Sequence, residues 1–202
     1  MKPINFVLVG VGGQGILLAG DILCVVGMAM GYDVKKTDVH GMAQRGGSVL
    51  SHVRLAEQVF SPVVPDGAAD FLLAFEKLEA CRWVHYLHRE GVAVVNNQAI
   101  PTLALAATSA VYPDDAQVLS ILNAYARQVE MVSAGTLAEE LGSQRVANVI
   151  LLGVLSVYLD VPVEVWQDAI QGRVPPKARQ LNLDAFEVGR SFVAADRCSV
   201  AR

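Results

Sequence analysis

The sequence predicts a single α/β domain: a mostly parallel sheet with helices on both faces. Three observations carry this. Ile4–Val9 (INFVLV) is a continuous apolar run, as expected of a strand covered on both sides. Strand-like and helix-like stretches then alternate along most of the 202 residues, the pattern of crossover helices between strands. No linker-like stretch interrupts them, so residues 1–202 read as one domain, and the length suits a single core.

The elements follow in order. Gly10–Gly15 is a glycine loop, and Gln14–Met30 reads as a helix that is apolar on nearly every face and therefore deeply buried. Val34–Val39 is a second strand, His40–Gly47 a polar Gly-rich loop, and Ser48–Leu55 an alternating strand. Val59–Val64 is a further extended piece, which Pro62 and Pro65 mark as edge or loop. Asp70–Phe75 reads as a strand, Lys77–Arg89 as a helix and Val92–Val95 as a strand. Ala116–Arg127 is a helix, Glu130–Ser133 a strand and Thr136–Leu141 a short helix. Arg145–Leu159 and Val163–Gly172 are helices, and Pro175-Pro176-Lys177 opens a last one over Pro176–Ala194. The expectation is a three-layer fold with a Rossmann-like start and a helical C-terminal tail.

Composition excludes several classes. A hydrophobic fraction of 53% and a mean hydropathy of +0.39 rule out a disordered chain and suggest burial against a partner as well. Lys and Arg number 16 against 20 Asp and Glu, a net charge of −4, so no basic excess exists to hold nucleic acid or an anionic membrane. Ile4–Met30 is broken by the glycine loop and Asp21, and Val146–Val161 is short and contains Asn148, so neither spans a membrane. Lys2 and Phe6–Val11 imitate a signal peptide, but the glycines that follow suit a loop better, and a cytoplasmic chain is expected. Cys24, Cys81 and Cys198 are too scattered to hold an iron–sulfur cluster or a four-Cys zinc site alone. His85 and His88, read as helical neighbours, lack a third metal ligand. No metal site is expected.

Two loops carry the chemistry. Gly10-Val11-Gly12-Gly13-Gln14-Gly15 satisfies GxGxxG between a strand and a helix, where glycines let the backbone approach a phosphate at a helix N-terminus. Asp38 lies near the place of an acid that takes a ribose hydroxyl. A stand-alone dinucleotide-binding oxidoreductase using Gly10–Gly15 and Asp38 is therefore one reading. Against it, Gly13 adds a fourth glycine, and the chain after Asp38 enters a second polar loop where a crossover helix belongs. That loop, His40-Gly41-Met42-Ala43-Gln44-Arg45-Gly46-Gly47-Ser48, puts an imidazole, an amide, a guanidinium and three glycines together and can bring donors onto an anion. In the strand beyond, His52 and Arg54 share a face that meets solvent, a partner or an anionic ligand. Adjacent Ser51 and His52 face opposite ways, so they form no nucleophile–base pair. Asn96-Asn97 follow a strand end and suit a crevice or a cap. Asn148 in an apolar helix reads as a hydrogen-bond anchor or an interface residue, and Trp166 as core or subunit contact.

Together, VGVGGQG and TDVHGMAQRGGSVLSHVR resemble the gamma (POR) domain of 2-oxoacid:ferredoxin oxidoreductases, in its indolepyruvate-type branch. Phe60-Ser61-Pro62, Leu137-Ala138-Glu139-Glu140 and Asn182-Leu183-Asp184-Ala185-Phe186 are similar too, so the likeness spans the chain. The resemblance implies an accessory subunit of a thiamine-diphosphate-dependent complex. That complex decarboxylates indolepyruvate or another aryl 2-oxoacid to the acyl-CoA and passes electrons to ferredoxin. It implies that thiamine diphosphate, Mg²⁺ and [4Fe-4S] clusters sit on a large alpha subunit, with coenzyme A as co-substrate at the interface. The absence of a GDG motif and of cluster cysteines agrees. The isolated chain is then expected to bind none of these cofactors, to be inactive, and to be prone to self-association through its exposed partner surface. The implied functional positions are Gly12, Gly13, Gln14 and Gly15 from GGQG; His40, Gln44, Arg45, Gly46 and Gly47 from the second loop; and Ser51, His52 and Arg54 from S-H-x-R. Both loops leave carboxyl ends of strands and are expected on one rim, where Arg45 is the sole cation of its loop.

Overall fold

A computed structural model describes residues 1–40, 46–100 and 111–200, leaving aside the side chains of His40 and of residues 194–200. Six strands form one sheet: β1 (Ile4–Val11), β2 (Asp33–His40), β3 (Ser48–Ala56), β4 (Ala69–Ala74), β5 (Leu87–Asn96) and β6 (Gln128–Val132). Their order is β2-β3-β1-β4-β5-β6. β1, β4, β5 and β6 run parallel, while β3 pairs antiparallel with both β1 and β2. The sheet is thus mostly parallel with one reversed strand. The helices are α1 (Ile16–Ala29), α2 (Lys77–Trp83), α3 (Asp115–Tyr125), α4 (Ala134–Glu140), α5 (Ala147–Ser156), α6 (Val163–Arg173) and α7 (Arg179–Val200).

The alternation of β1 divides the core in two. Phe6 and Leu8 face α1 and α5–α7, in a layer with Ile22, Ile150, Trp166 and Phe186. Val7 and Val9 face α2 and α3, with Leu72, Ala80, Val84 and Leu122. Helices therefore cover both faces, which is why β1 is apolar without alternation from Phe6 to Val9. α5 and α7 cross closely enough that a Cβ on Gly189 would lie 2.0 Å from the Ile150 carbonyl oxygen. Trp166 is fully buried and stacks on Phe186, at a centroid distance of 5.8 Å.

Local chemistry sets the helix starts. Asp114 and Gln117 form a reciprocal capping box for α3. The buried Glu76 accepts from the Glu79 amide (2.9 Å) to cap α2.

The structure departs from the expected elements at two points, the stretch after Lys77 and the helix from Arg145. The helix expected over Lys77–Arg89 ends at Trp83; a 3₁₀ turn (Val84–Tyr86) follows and β5 begins at Leu87. A register shift between the Ala69 and Phe71 pairings bulges β5 before Val92 and hides its alternation. His85 and His88 are accordingly not helical neighbours: His85 lies in the turn and His88 in β5, and they reach different acids, Asp66 and Asp70. Val59–Val64 is a loop, one of the two placements its prolines allowed. The expected helix from Arg145 divides into a 3₁₀ turn (Gln144–Val146) and α5. No helix among the described residues is long and apolar enough to cross a membrane.

Candidate functional site at the carboxyl edge

β1 hands its chain to the left of the sheet, through α1 to β2, whereas β4 hands its chain to the right, through α2 to β5. The edge between their carboxyl ends is a topological switch point, where open α/β sheets leave a crevice. A cavity of about 350 Å³ lies there, among Gly13–Gly15, Phe75, Asn96, Gln98 and the Gln144–Asn148 segment.

Gln14 builds its floor. Its Oε1 accepts from the Val11 amide (2.7 Å), and its Nε2 donates to the Phe75 carbonyl (2.7 Å) and to Gln98 Oε1 (3.1 Å). Both amide hydrogens are thereby spent inside the protein. Asn96 donates to the same two acceptors (3.2 and 3.1 Å) and accepts from the Ala134 amide (3.1 Å), fixing the start of α4. Gly10 must be glycine: a Cβ there would meet Gln14 Oε1 at 2.7 Å and Phe75 Cβ at 2.8 Å. Gly15 must be as well, at φ +80° with Asn148 Nδ2 only 2.5 Å from an ideal Cβ. With no side chain capping α1, the amides of Ile16, Leu17 and Leu18 lack intrahelical partners.

The two loops do share a rim. The Gly12 amide donates to the Gly47 carbonyl (2.8 Å) and the Gly46 amide to the Gly12 carbonyl (3.4 Å). Ser48 Oγ donates to the buried Glu79 of α2, tying the start of β3 to the opposite layer. Gln44 and Arg45 lie outside the described residues, as does the side chain of His40.

The S-H-x-R residues point elsewhere. Ser51 is buried towards α1 and donates to Asp38 (2.6 Å). Asp38 also pairs with Lys36 (3.2 Å), and β3 separates its strand from β1. A ribose-binding acid belongs on the strand beside β1, so Asp38 stands in the wrong place for that role and its carboxylate is already engaged. His52 is 2% exposed; its Nδ1 accepts from the Val64 amide (3.3 Å), its ring meets Tyr86 edge-on, and burial lowers its pKa. Arg54 donates to Asn5 Oδ1 (2.9 Å) and to the carbonyls of Ser61 (3.0 Å) and Val63 (3.3 Å). These two side chains pin the 61–64 loop to the sheet, and Phe60 stands exposed beside it.

Sequence reasoning passed over Gln98 and Arg145. Gln98 gives its oxygen to Gln14 and Asn96, and its amide nitrogen has no partner among the described residues. Arg145 is exposed beside the cavity and pairs with no carboxylate among the described residues. The available signal was its position just before the N-terminus of an apolar helix. Burial pushes the Cys24 thiol up to about 11, an inert state. Among the described residues, no three His, Cys, Asp or Glu side chains gather as a metal site.

A mostly parallel sheet with one reversed strand, two glycine loops on one rim and a switch-point cavity define an α/β binding domain. Over residues 5–192 the chain matches the pyruvate ferredoxin/flavodoxin oxidoreductase family, and it belongs to that family. It is 38% identical over 192 residues to the indolepyruvate oxidoreductase subunit IorB of Thermococcus kodakarensis, covering 94% of this chain and 95% of that one. The 2-oxoglutarate synthase subunit KorC of Methanothermobacter thermautotrophicus is 27% identical, over 92% and 93% of the two chains. Among solved structures, the gamma subunit of the keto/oxoacid ferredoxin oxidoreductase of Geobacter sulfurreducens superposes with a TM-score of 0.69 at 25% identity, over 95% of this chain and 99% of that one. The 2-oxoglutarate:ferredoxin oxidoreductase of Magnetococcus marinus, with 2-oxoglutarate, coenzyme A and succinyl-CoA bound, shares the fold at 19% identity (TM-score 0.70, 96% of this chain, 32% of that one).

Proposed function

We propose that the chain is the small subunit of a 2-oxoacid:ferredoxin oxidoreductase that decarboxylates indolepyruvate or a related aryl 2-oxoacid, forming the acyl-CoA and reducing ferredoxin. The observation that carries this is full-length similarity to indolepyruvate oxidoreductase subunits at 33–38% identity, against 26–27% for 2-oxoglutarate synthase subunits. In this reading, thiamine diphosphate, Mg²⁺ and the clusters belong to a large alpha subunit. Thiamine diphosphate supplies the decarboxylation chemistry there, and the present chain shapes the site around it.

The carboxyl edge supports that role. The double backbone bridge between Gly12 and the Gly46-Gly47 pair makes one surface of two loops. The Gln14–Asn96–Gln98 network holds it rigid, as a preformed partner surface requires. We assign this rim to the contact with the large subunit, and Gln44 and Arg45 to the recognition of coenzyme A. His52 and Arg54 act one step back, by fixing the 61–64 loop. The isolated chain is inactive in this account, and the complex is cytoplasmic.

Anaerobic affinity purification of the tagged chain from its source, with mass spectrometry and assays for iron and thiamine diphosphate, tests the proposal. A large, iron-rich, thiamine-binding partner is expected. A chain recovered alone, or with NAD(H) bound, contradicts it.

A further inference from the structure

We propose that two copies of this chain join through β2, edge to edge and antiparallel, in a dimer whose two-fold axis passes through Thr37. The contact lies along the outer side of an edge strand, apart from the rim assigned to the large subunit. It stands whether or not the subunit reading does.

β2 closes one end of the sheet and, at 8 residues, is longer than β6 at the other end, which has 5. Its ladder partners all belong to β3. Among the described residues, no backbone group of residues 33–40 bonds to anything beyond β3. The outward N–H and C=O groups therefore form an open template for another strand. Side chains alternate in face along β2, and Lys36 and Asp38 share the α1 side, where Lys36 pairs with Asp21 (2.8 Å). A two-fold axis that continues the sheet keeps this face in common, so only residues of equal parity stand opposite each other. Two such registers overlap β2 most fully, over 33–39 or over 34–40. The first sets Lys36 against its own copy, and like charges directly opposite destabilise a strand pair. The second sets Thr37 against its own copy and Lys36 against the partner's Asp38, and the reverse. Lys36 and Asp38 are already 3.2 Å apart within one strand, so this register completes an alternating ring of charges. Lysines commonly blunt an edge. Here both are neutralised from within, Lys35 by Asp33 and Lys36 by Asp21 and Asp38. Apolar groups gather at the same seam. Val39, 57% exposed on the other face, would lie against the stem of the partner's Lys35. Leu17 and Met28, both exposed, occupy the stripe of α1 that carries Asp21 and so flank β2.

The test uses the isolated full-length chain in sedimentation equilibrium. A reversible monomer–dimer exchange in the micromolar range is expected. Thr37→Lys, which sets two ammonium groups across the axis, is expected to weaken the dimer by about fivefold or more, with the melting curve of the monomer unchanged. Ile121→Ser, at an exposed apolar side chain of α3, leaves the equilibrium as it is. Cross-linking then fixes the register. In a Cys198→Ser background, with the native Cys24 and Cys81 half-buried, Thr37→Cys is expected to give a disulfide-linked dimer on mild oxidation. Facing residues of an antiparallel pair bring their Cβ atoms to about 4.5–5.5 Å, close enough to bridge after a small shift. Lys35→Cys, which would face the partner's Val39, is expected not to link. A chain that stays monomeric at millimolar concentration, or a Thr37→Lys chain that dimerises as well as the native one, would overturn the proposal. So would a dimer dissolved by Ile121→Ser, or linkage at Lys35→Cys without linkage at Thr37→Cys.

Discussion

Removing the Gln14 side chain tests the architecture of the carboxyl edge. In Gln14→Ala the Val11 amide loses its acceptor, and Val11 is 3% exposed. The Phe75 carbonyl loses one of two donors and keeps Asn96. An unsatisfied buried amide costs about 1–3 kcal/mol, and each lost bond to a group that retains a partner about 0.5–1.5 kcal/mol. The sum is about 2–6 kcal/mol, eased to about 2–4 kcal/mol by water entering from the adjoining cavity. For a chain of this size that lowers Tm by about 5–15 °C. Gln14→Glu sharpens the test. If Gln14 were a free side chain at a helix start, Glu would be harmless or favourable by about 0.3–1 kcal/mol. Here it keeps the acceptor for Val11 but turns a carboxylate oxygen towards the Phe75 carbonyl and Gln98 Oε1, so it is predicted to be no more stable than Gln14→Ala. Thermal melts of the isolated chain read both. Two variants within about 2 °C of the native protein would refute the network. The outcome matters for function, since a turnover loss in Gln14 variants would then report a damaged edge rather than a lost ligand contact.

Other consequences follow from the same contacts. Gly189→Ala gains about 1 kcal/mol of helix propensity but drives a methyl into the Ile150 carbonyl; a net loss of about 2 kcal/mol is expected in urea melts, and a stabilised variant would contradict the close crossing of α5 and α7. His52 is held neutral by burial, so its native pKa lies below the unfolded value of about 6.5. The unfolded chain then binds the proton more readily: this stability is complete above about pH 6.5 and falls away below it, through the lower native value. His52→Asn, which keeps an acceptor for Val64, is predicted to flatten the Tm profile between about pH 7 and 5; an unchanged slope would place the titration elsewhere. Arg54→Met frees the 61–64 loop from its carbonyl anchors. Limited proteolysis should cut near Phe60 faster at little cost in Tm, and equal cleavage rates would deny Arg54 its anchoring role.

Much of this was legible beforehand. Ile4–Val9 announces a two-sided strand, the glycines after it mark the turn, and the absence of a crossover helix after Asp38 points away from a dinucleotide fold. That β3 would insert antiparallel between β2 and β1 was not legible, because strand direction is set by pairing across the sheet rather than by local pattern. The helix beyond Trp83 was overdrawn because a bulge disrupts the alternation of β5. His52 and Arg54 were correctly placed on one face, but what they face is a loop docked from outside the strand, invisible to a period-two reading. The cavity combines residues 14, 98 and 145, which only the fold brings together. Gln14 was singled out for a ligand, whereas its donors serve the edge itself.

The central claim is that this chain completes a 2-oxoacid:ferredoxin oxidoreductase. Its most direct test is anaerobic turnover of indolepyruvate with coenzyme A and ferredoxin by the large subunit, with and without the added chain. The account predicts that activity saturates at a fixed subunit ratio and is absent from either chain alone. Full activity of the large subunit by itself, or NAD-dependent turnover by this chain alone, would contradict it.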